Sequence, residues 1–319
     1  FFYAVCCQSC MVWATCTDSF GESYKKVTSI LKDSRVNLGQ LHDKRVLTMS
    51  QTIHSIFISH GAPNYALEPG LPGQALEALG QQLIAQGTRA LIVLSPHWRS
   101  AKLAVTSHEA PVIVHDFYGF PKALYELKPE ICGAPEVAAM LATTLTEKNL
   151  VTELRPQQGF DHGAWVPYIH LFPNGGPPMI QLSMPVDWTG ETAVNVGAVV
   201  GEFAREHNAV VVGSGSLTHN FDDMDIHAAK VGDATQSLNL AYVSEFNAWI
   251  QERLQAGDGK AIARAEFDAP HFARAHPDDD HYLPLPFAMG AAPKNFKVDV
   301  LPEDVRYKAL SMQSFAFTG

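Results

Sequence analysis

The sequence predicts an α/β fold, a single domain with a central mixed, largely parallel sheet flanked by helices. Three observations predict it. Short apolar runs alternate along the chain with stretches of helical periodicity. Some runs, such as residues 90–95, are continuously apolar, which is typical of strands buried on both faces. No internal repeat or low-complexity linker interrupts the pattern. Because ligands bind at the carboxyl ends of the strands in such sheets, we expect the active site there.

Each element follows from its local pattern. Apolar runs of strand length predict strands at 53–59, 90–95, 103–106, 179–183, 209–212, 297–301 and 310–317. Helical spacing of apolar residues predicts helices at 74–86, 135–147, 191–206 and 237–254, with Pro135 in a first turn, where proline is tolerated. The connections 112–121, 157–167 and 267–286 are expected to be long loops. Long loops inside a compact domain usually carry function.

Composition excludes several classes of partner. The 319 residues are 46% hydrophobic and 18% charged, which is typical of a globular protein with a sizeable core. A formal net charge of −10 argues against nucleic acid or an anionic membrane surface as partner. No apolar stretch reaches the roughly 18 residues that predict a membrane span. We therefore expect a small-molecule substrate. The sequence does not set the oligomeric state, so a monomer and a homodimer both stay open.

The first 48 residues differ in composition from the rest. Four of the five cysteines, Cys6, Cys7, Cys10 and Cys16, lie there, and the remainder contains only Cys132. A disulfide framework would distribute its pairs through the fold, so the body of the chain predicts a reducing, cytoplasmic location. The apolar start lacks a basic region and resembles a secretory signal poorly. We expect residues 1–48 to be an extension and residues 49–319 to be the catalytic domain.

Histidines stand where the sheet would place a ligand site. His60, His97 and His219 each follow an apolar strand pattern, and His281 lies in an acidic loop near the C-terminus. Side chains at strand ends share one crevice even when they are distant in sequence. Neutral imidazole is a common ligand for zinc, iron and copper. The pattern therefore predicts a metal-centred active site.

The long loops add aromatic residues and further histidines to this prediction. The candidates for the substrate side are His115, Phe117, Tyr118, His162 and Trp165. Apolar aromatic walls with several imidazoles would suit a planar aromatic substrate at a metal. Nucleophile motifs are weaker, because the glycine-rich segment 213–216 lacks GxSxG, Walker A and GxGxxG spacing, and no HExxH occurs.

Six motifs together resemble the class III extradiol ring-cleavage dioxygenases, specifically the LigB-like DOPA dioxygenase group. They occur in the order of that family and cover nearly everything from residue 53 to residue 317. In this sequence they read SHGAP at 59–63, SPHW at 95–98, HDFYGFP at 115–121, GFDHGAW at 159–165, GSGSLTHN at 213–220 and DHYLPL at 280–285.

The resemblance implies roles for the matching residues. His60, His97 and His281 would hold the metal, and His219 would lie at the metal as a ligand or as the acid/base group. His162 and His115 would line the substrate side. From the placement of His219 and His162 in glycine-flanked loops we expect both to act on substrate protons, the alternative for His162 being a hydrogen bond that only shapes its loop. The implied cofactor is Fe(II), with Zn(II) also bound in its place, and the implied reaction inserts O₂ into a catechol ring to give a ring-opened semialdehyde.

Three alternatives stay open from the residues themselves. A zinc hydrolase would use the same histidines with a metal-bound hydroxide as nucleophile. A non-catalytic relative would keep the pocket as a binding site. Within the ligand set, Asp280 could replace His281, because the better-known facial triad has two histidines and one carboxylate.

Overall fold

The computed structural model describes residues 51–225 and 239–319, and residues 50–319 form one compact unit. The predicted N-terminal extension, residues 1–48, and the start of the helix predicted at 237–254 lie outside the described residues. Among the described helices, none combines the length and the hydropathy that a bilayer crossing requires.

An eight-stranded sheet runs through the middle of the unit. In chain order its strands are β1 (Ile53–Ser59), β2 (Ala90–Ser100), β3 (Ala104–Thr106), β4 (Glu153–Arg155), β5 (Met179–Pro185), β6 (Ala209–Gly215), β7 (Lys297–Val300) and β10 (Phe315–Thr318). Their order across the sheet is β4-β3-β5-β2-β6-β1-β10-β7. The four central strands β5, β2, β6 and β1 are parallel, whereas β10 and β7 pair antiparallel. The predicted mixed, largely parallel sheet is confirmed.

Helices cover both faces of the sheet. They are α1 (Gly70–Ala85), α2 (Lys122–Glu126), α3 (Pro135–Glu147), α4 (His162–Leu171), α5 (Gly190–Glu206), α6 (Ala241–Gln255), α7 (Gly259–Ala263), α8 (Ala265–Asp268), α9 (Phe272–Ala275) and α10 (Pro284–Ala291). Short 3₁₀ turns occupy Pro63–Ala66 and Phe221–Asp223, and a small hairpin pairs β8 (Val305–Arg306) with β9 (Leu310–Ser311).

Strand β2 shows how one apolar run serves two cores. Successive side chains on a strand point to opposite faces of the sheet. Ile92 and Leu94 accordingly pack into the core under α3, α5 and α10, whereas Leu91 and Val93 pack into the core under α1 and α4. A third core lies beneath α6 and includes Phe315 and Phe317 of β10. A continuous apolar run is therefore required at β2, as the sequence pattern predicts.

The structure departs from the predicted loops at two places. Residues 162–171, of which 162–167 were predicted to be loop, form α4 despite a proline at position 167. The predicted loop 267–286 contains α9, parts of α8 and α10, and a turn. Periodicity misses these segments because glycine and proline interrupt them and because α4 and α10 are buried almost all round.

His276 is a buried structural histidine next to the third core. Its Nε2 lies 2.9 Å from the Leu217 carbonyl oxygen, so Nε2 carries the proton and donates it. Its Nδ1 has no hydrogen-bond partner among the described residues. A second proton would therefore create a buried charge without an acceptor. Burial lowers the pKa of His276 from 6.5 to about 3.

This lowered pKa predicts a loss of stability in acid. Between the folded and unfolded pKa values the unfolded chain binds the additional proton, so the free energy of unfolding falls as pH falls below 6.5. Between about pH 7.5 and about pH 5.5 we expect His276 to contribute a loss of about 1.4 kcal/mol. Denaturant titrations of the wild type and of His276→Gln at both pH values measure it. The variant should be less stable at neutral pH but lose less on acidification; equal losses in both proteins would contradict the assignment.

Candidate metal centre and active site

Five histidines from five separate segments converge at the carboxyl end of the parallel strands. His60 follows β1, His97 lies in the extended end of β2, and His219 lies four residues beyond β6. His162 is the first residue of α4, and His281 lies just before α10. His60, His162 and His281 are buried, and the other two are partly buried. The structure thus brings together every histidine predicted for the metal and for proton transfer.

Three of the rings form a nearly equilateral triangle. The ring centres of His60 and His97 are 5.1 Å apart, those of His97 and His281 are 5.0 Å apart, and those of His60 and His281 are 5.3 Å apart. The Nε2 atoms of His60 and His97 are separated by 3.1 Å. Two nitrogens bound to one ion at about 2.1 Å and near a right angle would be roughly 3.0 Å apart. The Nε2 atoms of His60 and His97 therefore fit a single metal ion. Among the described residues, the ligand atoms of His60, His97 and His162 lie within 4.8 Å of one another, and so do those of a second group, His219, Asp280 and His281.

The proton positions on His60 are determined by its neighbours. Ser214 Oγ lies 2.5 Å from the Gly163 carbonyl oxygen, and a hydroxyl has one proton to donate, so Ser214 donates it there. His60 Nδ1, 2.9 Å from the same Oγ, must then be the donor in that contact. The Nε2 of a neutral His60 is left with a lone pair directed at the cluster, which is the state that a metal ligand needs.

The sequence explains why the Gly163 carbonyl oxygen lacks a helical hydrogen bond and is available to Ser214. Proline has no N–H, so Pro167 cannot donate the helical hydrogen bond to the carbonyl four residues earlier. Gly163 therefore offers its oxygen to Ser214. Glycine is also required at 163 because a Cβ there would lie 2.3 Å from Ser95 Oγ and 3.0 Å from His97 Cδ2. This close approach brings the start of α4 against the end of β2.

Two carboxylates orient the remaining imidazoles. Asp116 accepts hydrogen bonds from both the backbone N–H and Nδ1 of His162, each at 2.9 Å, and its Oδ2 lies 3.6 Å from His97 Nδ1. Asp280 accepts from Nδ1 of His281 at 2.7 Å. In both pairs the Nδ1 proton points at a carboxylate, which leaves Nε2 free to face the cluster.

Burial sets the ionisation of this centre. It lowers the pKa of His60, His97 and His281 well below 6.5, and the neighbouring histidines lower each pKa further. These rings are therefore neutral at physiological pH and available to bind a cation. Burial alone would raise the pKa of Asp116, but hydrogen bonds and charge from His162, with a contribution from His97, lower it to about 2. Asp116 is therefore ionised.

His219 is stacked on His281. The ring centres are 3.6 Å apart and the planes differ by only 6°. An imidazole binds a metal through a lone pair in its own plane, so one ion cannot lie in both of two parallel planes this far apart. The stacked arrangement is thus unfavourable for in-plane ligation of one ion by both rings, although their ligand atoms and one of Asp280 lie within 4.8 Å of one another. Burial lowers the pKa of His219, whereas the negative charge of Asp280 acts against that effect.

A cavity of about 660 Å³ opens onto these histidines. This volume is within the roughly 300–1,000 Å³ range of small-molecule sites. His97, His162, His219 and His281 line its inner part, and Phe117, Tyr118, Phe120 and Phe221 provide aromatic walls. Tyr118 and Phe221 are largely exposed and mark the mouth. The cavity therefore combines apolar walls with a polar, imidazole-lined base.

The predicted substrate-side residues separate into two groups. Phe117 and Tyr118 line the cavity. Trp165 is fully buried and donates from Nε1 to the Val114 carbonyl oxygen at 3.1 Å. His115 lies within hydrogen-bond distance of the Leu127 carbonyl oxygen and packs edge-on against Trp165. His115 and Trp165 thus support the wall from behind and do not line the cavity.

A family model described as the catalytic LigB subunit of aromatic ring-opening dioxygenase matches residues 54–318. The chain belongs to this family. Its membership confirms the resemblance that the six sequence motifs carry. A protein of this family is a ring-opening dioxygenase, and the histidine cluster could hold the metal ion that such an enzyme uses.

Curated relatives and a solved structure agree with this membership. The chain is 29% identical to "4,5-DOPA dioxygenase extradiol" of Beta vulgaris, over 83% of this chain and 96% of the relative. It is 28% identical to the protein of the same name from Escherichia coli (strain K12), over 85% and 97%. The crystal structure of uncharacterized protein JW3007 from Escherichia coli K12 superposes with a TM-score of 0.64 at 21% identity, over 82% of this chain and 98% of that one. This last likeness concerns the fold.

Sequence reasoning missed two of the groups that orient the histidines, Asp116 and Ser214, whereas the acidic segment 278–280 before His281 was expected to supply a carboxylate that orients an imidazole, as Asp280 does. It selected His115 from the segment 115–121, although the neighbouring Asp116 is the residue that contacts His162 and His97. Ser214 was noted only as part of a glycine-rich run. The available signal for Asp116 was a carboxylate in the same loop as the aromatic residues, and only the tertiary contact distinguishes its role.

We predict that Asp116→Asn weakens metal binding while the fold survives. An asparagine has one acceptor oxygen and no charge, so it cannot keep both hydrogen bonds from His162 and also the contact with Nδ1 of His97, a proposed ligand. Loss of such an orienting partner typically costs about 10- to 100-fold in metal affinity. Competition of the protein against a chromogenic chelator for Zn²⁺ measures it, with Asp268→Asn on the surface as the control. Wild-type affinity in Asp116→Asn would remove this residue from the centre.

Proposed function

We propose that the protein is a metal-dependent extradiol dioxygenase that cleaves the ring of a catechol with O₂ to give a ring-opened semialdehyde. The observation that carries the proposal is the triangle of His60, His97 and His281 at the base of an aromatic-walled cavity. Membership of the LigB family and the names of the curated relatives support the same reaction.

We assign the metal to His60, His97 and His281. All three are neutral through burial, and the partners of His60 and His281 leave Nε2 free, so the donors fit a borderline divalent ion such as Fe(II) or Zn(II). Fe(II) in this position would supply the one-electron chemistry that ring cleavage by O₂ requires. Three imidazoles on one side of the ion would leave its other positions for substrate and O₂.

His219 and His162 are assigned to proton transfer. A catechol must lose protons to bind and react, and a nearby imidazole is a suitable acceptor. His219 lines the cavity, and its parallel stacking on His281 favours an acid/base role over direct ligation. His162 lines the cavity too, and its Nδ1 proton is held by Asp116, so its Nε2 is available to the substrate side.

The aromatic wall would hold the substrate ring. Phe117 packs perpendicular to the His162 ring, with the ring centres 5.7 Å apart, and Phe120 packs edge-on against Phe117. Planar apolar surfaces of this kind bind an aromatic ring through burial and edge-to-face contacts. Phe117 would thus orient the ring while His162 and His219 handle its hydroxyl protons.

Anaerobic loading with Fe(II), followed by O₂ and a panel of catechols, tests the proposed reaction. We expect O₂ consumption and a yellow semialdehyde with at least one catechol. His60→Ala, which lacks a ligand, should show neither. The zinc hydrolase alternative predicts instead that Zn(II) supports ester or amide hydrolysis without O₂, and that result with no ring cleavage would overturn the proposal.

The same measurement tests the proposed domain boundary. The family match begins at residue 54, and we propose that residues 49–319 form the catalytic domain. A chain that starts at Met49 should turn over as the full chain does; loss of metal or activity would place residues 1–48 in the catalytic unit. The cytoplasmic location remains a prediction from the cysteine distribution, to be checked by fractionation, and light scattering would distinguish a monomer from a homodimer.

We predict that His219→Gln cuts turnover by about 10²- to 10⁴-fold, because a general acid/base group contributes on that scale. Glutamine keeps a polar side chain of similar length but transfers no proton. Turnover is compared at equal Fe(II) occupancy, with the melting temperature as the control for folding. His162→Gln should affect substrate binding or turnover with its metal retained. Wild-type turnover in both variants would contradict the assignment of His219 and His162 to proton transfer.

A further inference from the structure

The mouth of the cavity is acidic. Four aspartates line the cavity, Asp116, Asp222, Asp278 and Asp280. Asp116 and Asp280 are engaged by His162 and His281, as described above. Asp222 and Asp278 are exposed at the outer part, next to Phe221 and Pro277. The carboxylates of these two residues are therefore the charged groups that an incoming side chain would meet.

No lysine or arginine of the described chain lines the same cavity. Two arginines lie nearby without lining the cavity: Arg274 is paired with Asp223 at 2.8 Å, and the positive charge of Arg99 acts on Asp280. Within the described residues neither Asp222 nor Asp278 forms an ion pair. Asp278 also acts electrostatically on His219, which places it within range of the inner part of the cavity. The cavity thus has an excess of negative charge on its outer side.

We infer that the cavity selects catechols whose side chain ends in an ammonium group, with Asp222 and Asp278 as the counter-charges, over catechols whose side chain bears only a carboxylate. The inference rests on the proposed function, because it assumes that the ring binds at the histidine end. A ring held there by Phe117 would direct its substituent outward, since the base of the cavity is closed by His97, His162 and His281.

The expected selectivity is moderate, because both carboxylates are exposed and partly screened. An exposed ion pair contributes a factor of about 1.5 to 5 in affinity. With both aspartates acting we expect roughly a tenfold preference for the ammonium compound over an uncharged one, and a comparable penalty for the carboxylate compound. The preference should shrink as salt is added, because the Debye length falls from about 10 Å at 0.1 M to about 3 Å at 1 M.

Three probes of similar size separate charge from shape. Dopamine bears an ammonium, hydrocaffeate bears a carboxylate, and an ethyl-substituted catechol bears neither. Their kcat/KM values are measured on the Fe(II)-loaded full chain, at low and high salt. Their dissociation constants are measured by calorimetry on the same loaded protein under argon, where no turnover occurs. The binding measurement keeps the inference testable even if ring cleavage fails.

Substitutions of Asp222 and Asp278 test whether these two residues cause the preference for an ammonium group. Asp222→Asn, Asp278→Asn and the double variant keep the size of each side chain but remove its charge. We expect the ratio of dopamine to ethylcatechol in both affinity and kcat/KM to fall about two- to fivefold in each single variant and further in the double variant. Asp299→Asn, an exposed aspartate on edge strand β7, is the matched control and should leave the ratio unchanged.

The outcomes distinguish this inference from the proposed function. Ring cleavage of all three probes at similar efficiency would overturn the inference while the dioxygenase assignment stands. A preference for dopamine that persists in the double variant would overturn the assignment to Asp222 and Asp278. Failure to cleave any catechol, together with charge-selective binding under argon, would overturn the proposed reaction but support the ammonium site. Binding of none of the probes would overturn both.

Discussion

The constraint on which the site depends is the burial of several imidazoles around one point. His60, His97 and His281 are removed from water, and burial together with mutual repulsion keeps them neutral. Neutral rings whose lone pairs face one another are unfavourable without a cation between them. The fold accepts this arrangement because each ring is held from behind by a neighbour, and the free energy of metal binding offsets the cost.

The fold brings these rings together through several local structural requirements. Parallel strands β1 and β2 flank β6, and their carboxyl ends lie at the same end of the sheet. The imidazoles of His60 and His97 therefore come close together. Helix α4 must approach that edge closely, and only glycine at 163 permits it. Pro167 then frees the Gly163 carbonyl, and Ser214 at the end of β6 uses it to fix the proton of His60. A backbone feature of one helix thus sets the protonation state of a side chain on another element.

The sequence predicts most strands and helices of this molecule better than it predicts the contacts between side chains at the site. Long apolar runs specify β2 and β6 because both faces of those strands are buried, and Pro135 marks the start of α3. The positions of His60, His97 and His219 after apolar runs also predict that these residues lie close together, because the carboxyl ends of parallel strands lie at the same end of the sheet. Periodicity cannot find α4 or α10, whose apolar residues surround the helix. It likewise cannot distinguish Asp116 from His115, because the two side chains differ only in which neighbours they contact in three dimensions.

The stacking of His219 on His281 bears on which histidine would bind the metal and which would transfer protons. Residues at a metal centre can be ligands or proton carriers, and sequence motifs do not separate these roles. The stacking supports the proposed separation of roles, since two parallel rings with centres 3.6 Å apart are poorly placed to direct in-plane lone pairs at one ion. If His281 binds the metal, its neighbour keeps a titratable nitrogen beside the ion. Asp280 contributes to both rings: it accepts the Nδ1 proton of His281, and its charge opposes the lowering of the His219 pKa by burial. One carboxylate would then orient a ligand while keeping the adjacent imidazole basic enough to accept a proton.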